Sequence, residues 1–220
     1  MQIDFDKFRH DIEDRHFVNV IHKILKLVIN GTILPVEEES IFNSNGLIDT
    51  YIFEGAQGIL LDQNFGNRPF ITKSNTTSKN AISLINKYRV FDEVEIVYVT
   101  RAYQTYHGYG PFNDMRTKYD LIDFQFETNK YNPYQGEFKI DFLDLDKLNY
   151  SLECDSKFSS GKNIKLVITC LDQIGSSNIN YYTNNSLKSI HFRDLQLKID
   201  KQFDGITYSY SNCANDLIVK

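Results

Sequence analysis

The sequence predicts an α/β fold, in which one domain over residues 1–220 is built on a mixed, mostly parallel sheet flanked by helices. Two observations predict this class. Short runs rich in β-branched residues, such as VEIVYVT at 94–100, alternate with longer runs of helical periodicity. The composition, 41% hydrophobic with 16 Phe and 14 Tyr, is too apolar for a disordered chain and sufficient for one core.

The helices are predicted from apolar residues at helical spacing. They lie at 8–28, 80–88 and 142–154. The first one ends at Asn30-Gly31, a typical helix stop, so residues 1–31 form an N-terminal helical segment. The strands are predicted from short apolar or β-branched runs. They lie at 47–53, 94–100, 165–169, 193–200 and 205–210.

Three unusual loops follow the predicted strands, and two of them are rich in glycine. They lie at 54–68, 104–112 and 170–175. Ligands of parallel α/β sheets collect at the carboxyl ends of the strands. We therefore expect the three loops to share one edge of the sheet and to form a small-molecule site there.

Charge and cysteine usage exclude several classes of partner. The net charge is −5 with Lys and Arg scattered along the chain, so polymeric nucleic acid is not an expected partner. The longest apolar run, 17–30, is interrupted by His22, Lys23 and Lys26, so no membrane span is expected. Cys154, Cys170 and Cys213 form no CxxC pair and follow no secretory leader, which favours reduced thiols in a cytoplasmic protein.

Several segments resemble, in order, motifs of the adenylosuccinate synthetase family. They are EGAQG, LLD and RPFITKSNTT within residues 54–77, RAYQTYHGYGPF at 101–112, TCLDQI at 169–174 and SYSN at 209–212. NPYQGEF at 132–138, followed by a helical run, resembles the shorter archaeal and phage-type branch. The family-like region therefore runs from residue 51 to residue 220, and the implied fold is the C-terminal part of a P-loop NTPase-like enzyme.

The resemblance implies a ligase that joins a 6-oxopurine nucleotide (IMP, GMP or dGMP) to aspartate at the expense of ATP or GTP. The family's phosphate-cradling glycine loop has no counterpart in these 220 residues. Because phosphoryl transfer depends on positioning and charge neutralisation, we expect the chain to be inactive alone, with no catalytic residue of its own. It would then act as a homo-oligomer or with a partner chain that supplies the missing half. The alternative is a non-catalytic nucleotide-binding or assembly module.

The resemblance also implies a role for individual residues. The purine nucleotide would contact Gln57, Gly58, Leu61, Thr72, Ser74, Asn75, His107 and Gly108. Lys139 would meet aspartate, although it lacks the forked geometry of arginine, and Asp172 and Ser209 would hold the base of the triphosphate. The segment around Thr72 is equally well explained as a helix N-cap cluster, and Asp172 as a strand-end cap. No cofactor is expected to be bound permanently, and Mg²⁺ would enter only with a nucleoside triphosphate in an active complex.

Overall fold

The computed structural model describes residues 15–42, 48, 50–89, 93–110, 112, 131, 133–134, 136–211 and 217–219. The chain divides into two compact units, residues 1–51 and residues 52–220. The assignment of all 220 residues to one domain stays a prediction.

The first unit contains helix α1 (Arg15–Ile29) and helix α2 (Glu38–Phe42). Helix α1 confirms the described part of the predicted helix at 8–28, and residues 8–14 lie outside the described residues. The helix stops as predicted, because Gly31 adopts a left-handed φ of 76° that favours glycine. Apolar side chains of α1 are exposed: Phe17, Val18, Val20, Ile21, Ile24, Leu25, Leu27 and Ile29.

The second unit contains two further helices and the strands of two sheets. The helices are α3 (Lys79–Tyr88) and α4 (Leu145–Ser159). The strands are β1 (Glu95–Arg101), β2 (Tyr103–His107), β3 (Phe138–Asp144), β4 (Asn163–Thr169), β5 (Asn178–Thr183), β6 (Ser186–His191), β7 (Gly205–Ser209) and β8 (Leu217–Val219). Short 3₁₀ turns lie at Ile59–Leu61, Leu171–Gln173 and Phe192–Lys198.

The strands form two four-stranded sheets. In the first sheet, of order β1-β4-β7-β8, the first three strands are parallel and β8 is antiparallel to β7. In the second sheet, of order β2-β3-β5-β6, only β3 and β5 are parallel. Strand β1 continues through the fully buried Ala102 into β2, so one stretch of chain serves both sheets. The mixed α/β class with helices beside the sheets is confirmed.

The core packs against one face of the first sheet and includes buried residues of the second sheet, such as Ile140 and Ile179. Leu166 and Ile168 of β4 are fully buried, and the residues beside them on β7, Ile206 and Tyr208, are also buried. The opposite face is open at β1, where Val97 is 47% and Val99 66% exposed. Parallel strands are normally covered on both faces, so this apolar face is unusual for a sheet of this kind.

Four of the predicted elements are confirmed, with small shifts at their ends. Helix α3 corresponds to the prediction at 80–88, β1 to 94–100, β4 to 165–169 and β7 to 205–210. The predicted helix at 142–154 begins later, at Leu145, because residues 138–144 extend as β3. The side chain of Asp144 starts the helix by accepting the amide of Lys147 at 3.0 Å.

Three predictions are wrong. The described residues of 47–53 form no strand, and Ile52 is 89% exposed, so this apolar run is not covered as a buried strand would be. Much of the predicted loop at 104–112 is β2, because its residues pair with Phe138–Phe142, which are distant in sequence. The predicted strand at 193–200 is a 3₁₀ turn in which Phe192 and Leu195 are buried at a spacing of three residues.

Candidate functional site

Loop 54–78 folds around one buried carboxylate, that of Asp62, which is 0% exposed. Its Oδ1 accepts the backbone amide of Asn64 at 2.8 Å, and its Oδ2 accepts that of Thr76 at 2.6 Å. The backbone carbonyl of Asp62 accepts the amide of Gly66 at 2.8 Å. A buried carboxylate is tolerated only when such donors satisfy it, so Asp62 holds two parts of the loop together.

Further hydrogen bonds join residues 58–63 to residues 72–76. Thr76 Oγ1 donates to the carbonyl of Gly58 at 2.9 Å, and the amide of Thr72 donates to the carbonyl of Leu61 at 2.8 Å. The amide of Gln63 donates to the carbonyl of Ser74 at 3.1 Å. The structure therefore brings Gly58, Leu61, Thr72 and Ser74 together, although they were assigned from separate motifs.

Several polar side chains of this loop form hydrogen bonds with one another. The hydroxyls of Thr72 and Ser74 lie 2.9 Å apart. The Oδ1 of Asn75 accepts from Gln63 Nε2 at 3.0 Å and from Asn64 Nδ2 at 3.2 Å. Because the side-chain carbonyl oxygen of Asn75 accepts hydrogen bonds from two donors inside the loop, this residue stabilises the loop. Ser74 is exposed and Thr72 is half-buried.

The glycine-rich composition has two separate explanations. At Gly66, an added Cβ would lie 2.6 Å from Ile71 Cγ2 and 2.7 Å from the carbonyl oxygens of Leu60 and Asp62, so no side chain fits there. Gln57, in contrast, adopts a left-handed φ of 63° although it carries a side chain. This conformation is uncommon for a residue other than glycine, and such strain concentrates at functional sites. The exposed Gln57 lies at the sharp turn that precedes Gly58.

Helix α4 holds this loop in place within the second unit. Tyr150 OH donates to the carbonyl of Phe65 at 2.9 Å, and Lys157 Nζ lies 4.4 Å from the centroid of the Phe65 ring. Further along the helix, the buried Asp155 accepts hydrogen bonds from Ser78. Nothing in the motifs indicated these three residues of α4.

His107 and Lys139 lie on a different pair of strands, β2 and β3, and Gly108 directly follows β2. The His107 ring is 5.0 Å from that of Phe138, and its buried Nδ1 has no hydrogen-bond partner among the described residues. Gly108 has a φ of 81°, and its amide donates to the carbonyl of Glu137 at 2.9 Å. Lys139 is half-buried on β3 opposite Tyr106.

Asp172 and Ser209 both lie at the carboxyl edge of the first sheet. Strand β4 ends at Thr169, and Cys170, with a left-handed φ of 60°, turns the chain into the 3₁₀ turn that holds the exposed Asp172. Because Ile168 pairs with Tyr208, the end of β7 and hence Ser209 lie beside the end of β4. Ser209 Oγ donates to the carbonyl of Ser211 at 2.9 Å.

The expectation that all three loops share this edge therefore needs correction. Residues 170–175 directly follow β4 and lie there. Residues 104–107, in contrast, belong to β2 in the second sheet, because only the bend at Ala102 separates β1 from β2.

The described residues do not offer a metal site. They contain no group of three or more His, Cys, Asp or Glu side chains placed to hold a metal ion. Both oxygens of Asp62 accept backbone amides, so this carboxylate is engaged.

Two further features bear on the environment of the chain. Cys154 and Cys170 are free thiols. In the part of the chain that the structure describes, no helix combines the length and the hydropathy that a bilayer span requires.

Comparisons with known proteins agree with the motifs. The family model described as adenylosuccinate synthetase matches residues 15–172. The adenylosuccinate synthetase of Hydrogenobaculum sp. (strain Y04AAS1) is 41% identical over 129 residues, which cover 54% of this chain and 30% of the relative. The enzyme of Petrotoga mobilis is 33% identical over 152 residues, which cover 69% of this chain and 33% of the relative. The enzyme of Picrophilus torridus is 31% identical over 161 residues, which cover 72% of this chain and 36% of the relative. The chain spans about a third of the length of these curated relatives.

Proposed function

We propose a function for this chain from the premise that it belongs to the adenylosuccinate synthetase family. It binds a 6-oxopurine nucleotide, and loop 54–78 holds the phosphate of that nucleotide. Together with polypeptide that supplies the missing phosphate loop, it forms part of a ligase that joins this nucleotide to aspartate at the expense of ATP or GTP. Alone it does not catalyse this reaction.

The observation that carries the proposal is the rigid loop around Asp62. Its buried carboxylate accepts hydrogen bonds from the amides of Asn64 and Thr76, and these bonds fix the backbone on both sides of the loop. Binding is favoured when the groups that meet the ligand are already held in place. The braced backbone keeps the Gln57 turn and the hydroxyls of Thr72 and Ser74 in a constant arrangement.

The charges of the loop also suit a phosphate group. Lys73 and Arg68 are exposed within it, and Arg68 is held against the loop by a hydrogen bond of 3.3 Å to the carbonyl of Gln63. Of the two acidic residues of the loop, Asp62 is buried and satisfied by amides, whereas Glu54 is exposed. Cations and hydroxyls are the usual donors to phosphate oxygens.

The Gln57 side chain provides the first test. We expect the purified chain to bind IMP, GMP or dGMP in isothermal titration, and Gln57→Ala to weaken the binding about tenfold, because roughly one hydrogen bond of about 1–1.5 kcal/mol is lost. Gln202→Ala, the same change at another exposed glutamine, is the control and should leave Kd unchanged. A folded chain that binds none of the three nucleotides would contradict the proposal.

The open face of the first sheet supports the need for further polypeptide. The exposed Val97 and Val99 lie on strand β1, which has a neighbour on only one side in the described sheet. About two thirds of the length of these curated relatives lies outside the part that this chain matches, and a parallel sheet is normally covered on both faces. We infer that the segment with the phosphate loop covers this face.

This inference predicts the behaviour of the chain alone. Light scattering should give the mass of a monomer, and an assay with IMP, a triphosphate, Mg²⁺ and aspartate should show no turnover. Val99→Asp should leave the melting temperature within about 2 °C of the parent chain, because an exposed position tolerates such a change. A dimer that Val99→Asp dissociates would show that a second copy covers the face, and turnover by the monomer would also contradict the inference.

A non-catalytic nucleotide-binding module is the second candidate function, and the surroundings of Lys139 favour it. Lys139 lies between Glu137 and Asp141 in sequence, and Asp141 is buried, with its Oδ1 accepting the amide of Phe142 at 2.7 Å. A dicarboxylate substrate is normally held by the forked donors of arginine. Titration of the nucleotide-saturated chain with aspartate separates the two functions, because the module should release no heat of binding.

A further inference from the structure

A second buried carboxylate, that of Asp155 on α4, joins three elements of the second unit. It is 0% exposed. Its Oδ1 accepts the backbone amide of Ser78 at 2.7 Å and the Ser78 hydroxyl at 2.9 Å. Its Oδ2 accepts the hydroxyl of Tyr98 on β1 at 2.6 Å. One side chain therefore links the end of loop 54–78, helix α4 and the first sheet.

Tyr98 is a stable hydrogen-bond donor to Asp155. Burial, and then the hydrogen bond to Asp155, raise the pKa of Tyr98 well above its usual range, so the phenol stays a donor. Lys201 lies close by, with its Nζ 5.3 Å from the centroid of the Tyr98 ring and 2.9 Å from Ser159 Oγ. Burying a carboxylate is costly, and an apolar residue often serves stability as well. Stability alone is therefore a poor explanation for this group.

The position of Ser78 in the chain indicates what Asp155 controls. Ser78 directly precedes α3 and lies two residues after Thr76, whose amide binds Asp62. The two buried carboxylates thus hold the segment 76–78 from opposite ends. The hydroxyls of Thr72 and Ser74 lie just before this segment, so their direction depends on where the segment is fixed.

We propose that Asp155 is a positioning residue for the nucleotide site, and that it acts through Ser78 to hold residues 72–78 in the geometry that the nucleotide phosphate requires. Asp155 itself does not touch the ligand. The inference rests on the proposed function, because it assigns a role to a residue outside the loop that the nucleotide is proposed to contact.

The same carboxylate offers a matched control. Tyr98→Phe removes one hydrogen bond from Asp155 on the side of the sheet and leaves both bonds to Ser78 in place. Asp155→Ala removes all of these bonds, whereas Asp155→Asn keeps an oxygen that can accept the Ser78 amide. Ser78→Ala removes only the hydroxyl donor. A merely structural role would make the effect on binding follow the loss of stability, whichever bond is removed.

The experiment measures the Kd of IMP, GMP and dGMP by isothermal titration and melting temperatures for all variants. We expect Asp155→Ala to raise Kd about tenfold, Asp155→Asn to restore most of the affinity, and Ser78→Ala to raise Kd about threefold. Tyr98→Phe should lower the melting temperature without changing Kd. The double variant Asp155→Ala/Ser78→Ala should bind no more weakly than Asp155→Ala, because both changes interrupt one connection.

Amide NMR supplies a readout that stability does not affect. The Ser78 amide proton should resonate far downfield in the parent chain, because it is bonded to a carboxylate, and should move upfield in Asp155→Ala but not in Tyr98→Phe. Absence of nucleotide binding by the parent chain would overturn the proposed function and this inference together. Equal Kd values for the parent chain, Asp155→Ala and Ser78→Ala would overturn the inference alone. If Asp155→Ala does not fold, the inference is tested by the Kd values of the three other variants, Asp155→Asn, Ser78→Ala and Tyr98→Phe. Equal Kd values for the parent chain and Ser78→Ala would then overturn it.

Discussion

Asp62→Ala is expected to lower the free energy of unfolding by about 3–5 kcal/mol and to abolish measurable nucleotide binding. The fully buried carboxylate accepts two backbone amides, and each hydrogen bond to a charged group contributes about 1.5–3 kcal/mol. Alanine would leave the amides of Asn64 and Thr76 without their acceptor. Urea unfolding and isothermal titration with the nucleotide that the parent chain binds measure the two effects.

The exposed Asp172 provides the matched control for this prediction. Asp172→Ala makes the same chemical change in another loop and should alter the free energy of unfolding by no more than about 0.5 kcal/mol. An Asp62→Ala variant as stable as Asp172→Ala would show that the loop does not depend on its carboxylate. Unchanged nucleotide affinity in a destabilised Asp62→Ala variant would separate loop rigidity from binding.

Local sequence pattern was sufficient where neighbouring residues determine the structure. β1 and β4 are β-branched runs buried on one face, and both were predicted within two residues of their ends. Helix α3 likewise follows its own apolar spacing. These elements need only their own residues and a core to pack against, so a single sequence carries enough information to place them.

Non-local pairing explains what the sequence pattern missed in the sheets. Strand β2 carries glycine-flanked, mixed residues that are typical of a loop, and it becomes a strand because it pairs with β3 more than thirty positions along the chain. The turn at Phe192–Lys198 was mistaken for a strand, although its buried residues, Phe192 and Leu195, are three positions apart. A short run of that kind fits a 3₁₀ turn better than the two-residue period of a strand.

The sequence motifs named some residues of the candidate site and missed others. The motifs assigned Gly58, Leu61, Thr72 and Ser74 to a purine nucleotide, and hydrogen bonds within one loop bring these residues together. Their contact with a nucleotide stays a prediction. The motifs did not indicate Asp155, because its partner Ser78 lies 77 residues earlier in the chain. The available signal was the spacing of Leu148, Leu152 and Asp155, which places the acid on the apolar side of α4. A carboxylate in such a stripe indicates a buried hydrogen-bonded role.

Leu166→Ala is expected to lower the free energy of unfolding by about 3 kcal/mol and the melting temperature by roughly 9 °C, since truncating a buried leucine removes apolar contact and leaves a cavity. Leu166 is 0% exposed on the central strand β4, between Tyr98 of β1 and Ile206 of β7. Leu197→Ala is the matched control, because this leucine is 72% exposed and its loss should shift the melting temperature by no more than about 2 °C. Since Tyr98 also binds Asp155, a cavity at Leu166 should loosen that network as well, and the Ser78 amide of Leu166→Ala should exchange with solvent faster than in the parent chain. Similar melting temperatures for the two alanine variants would show that β4 does not lie at the centre of the core.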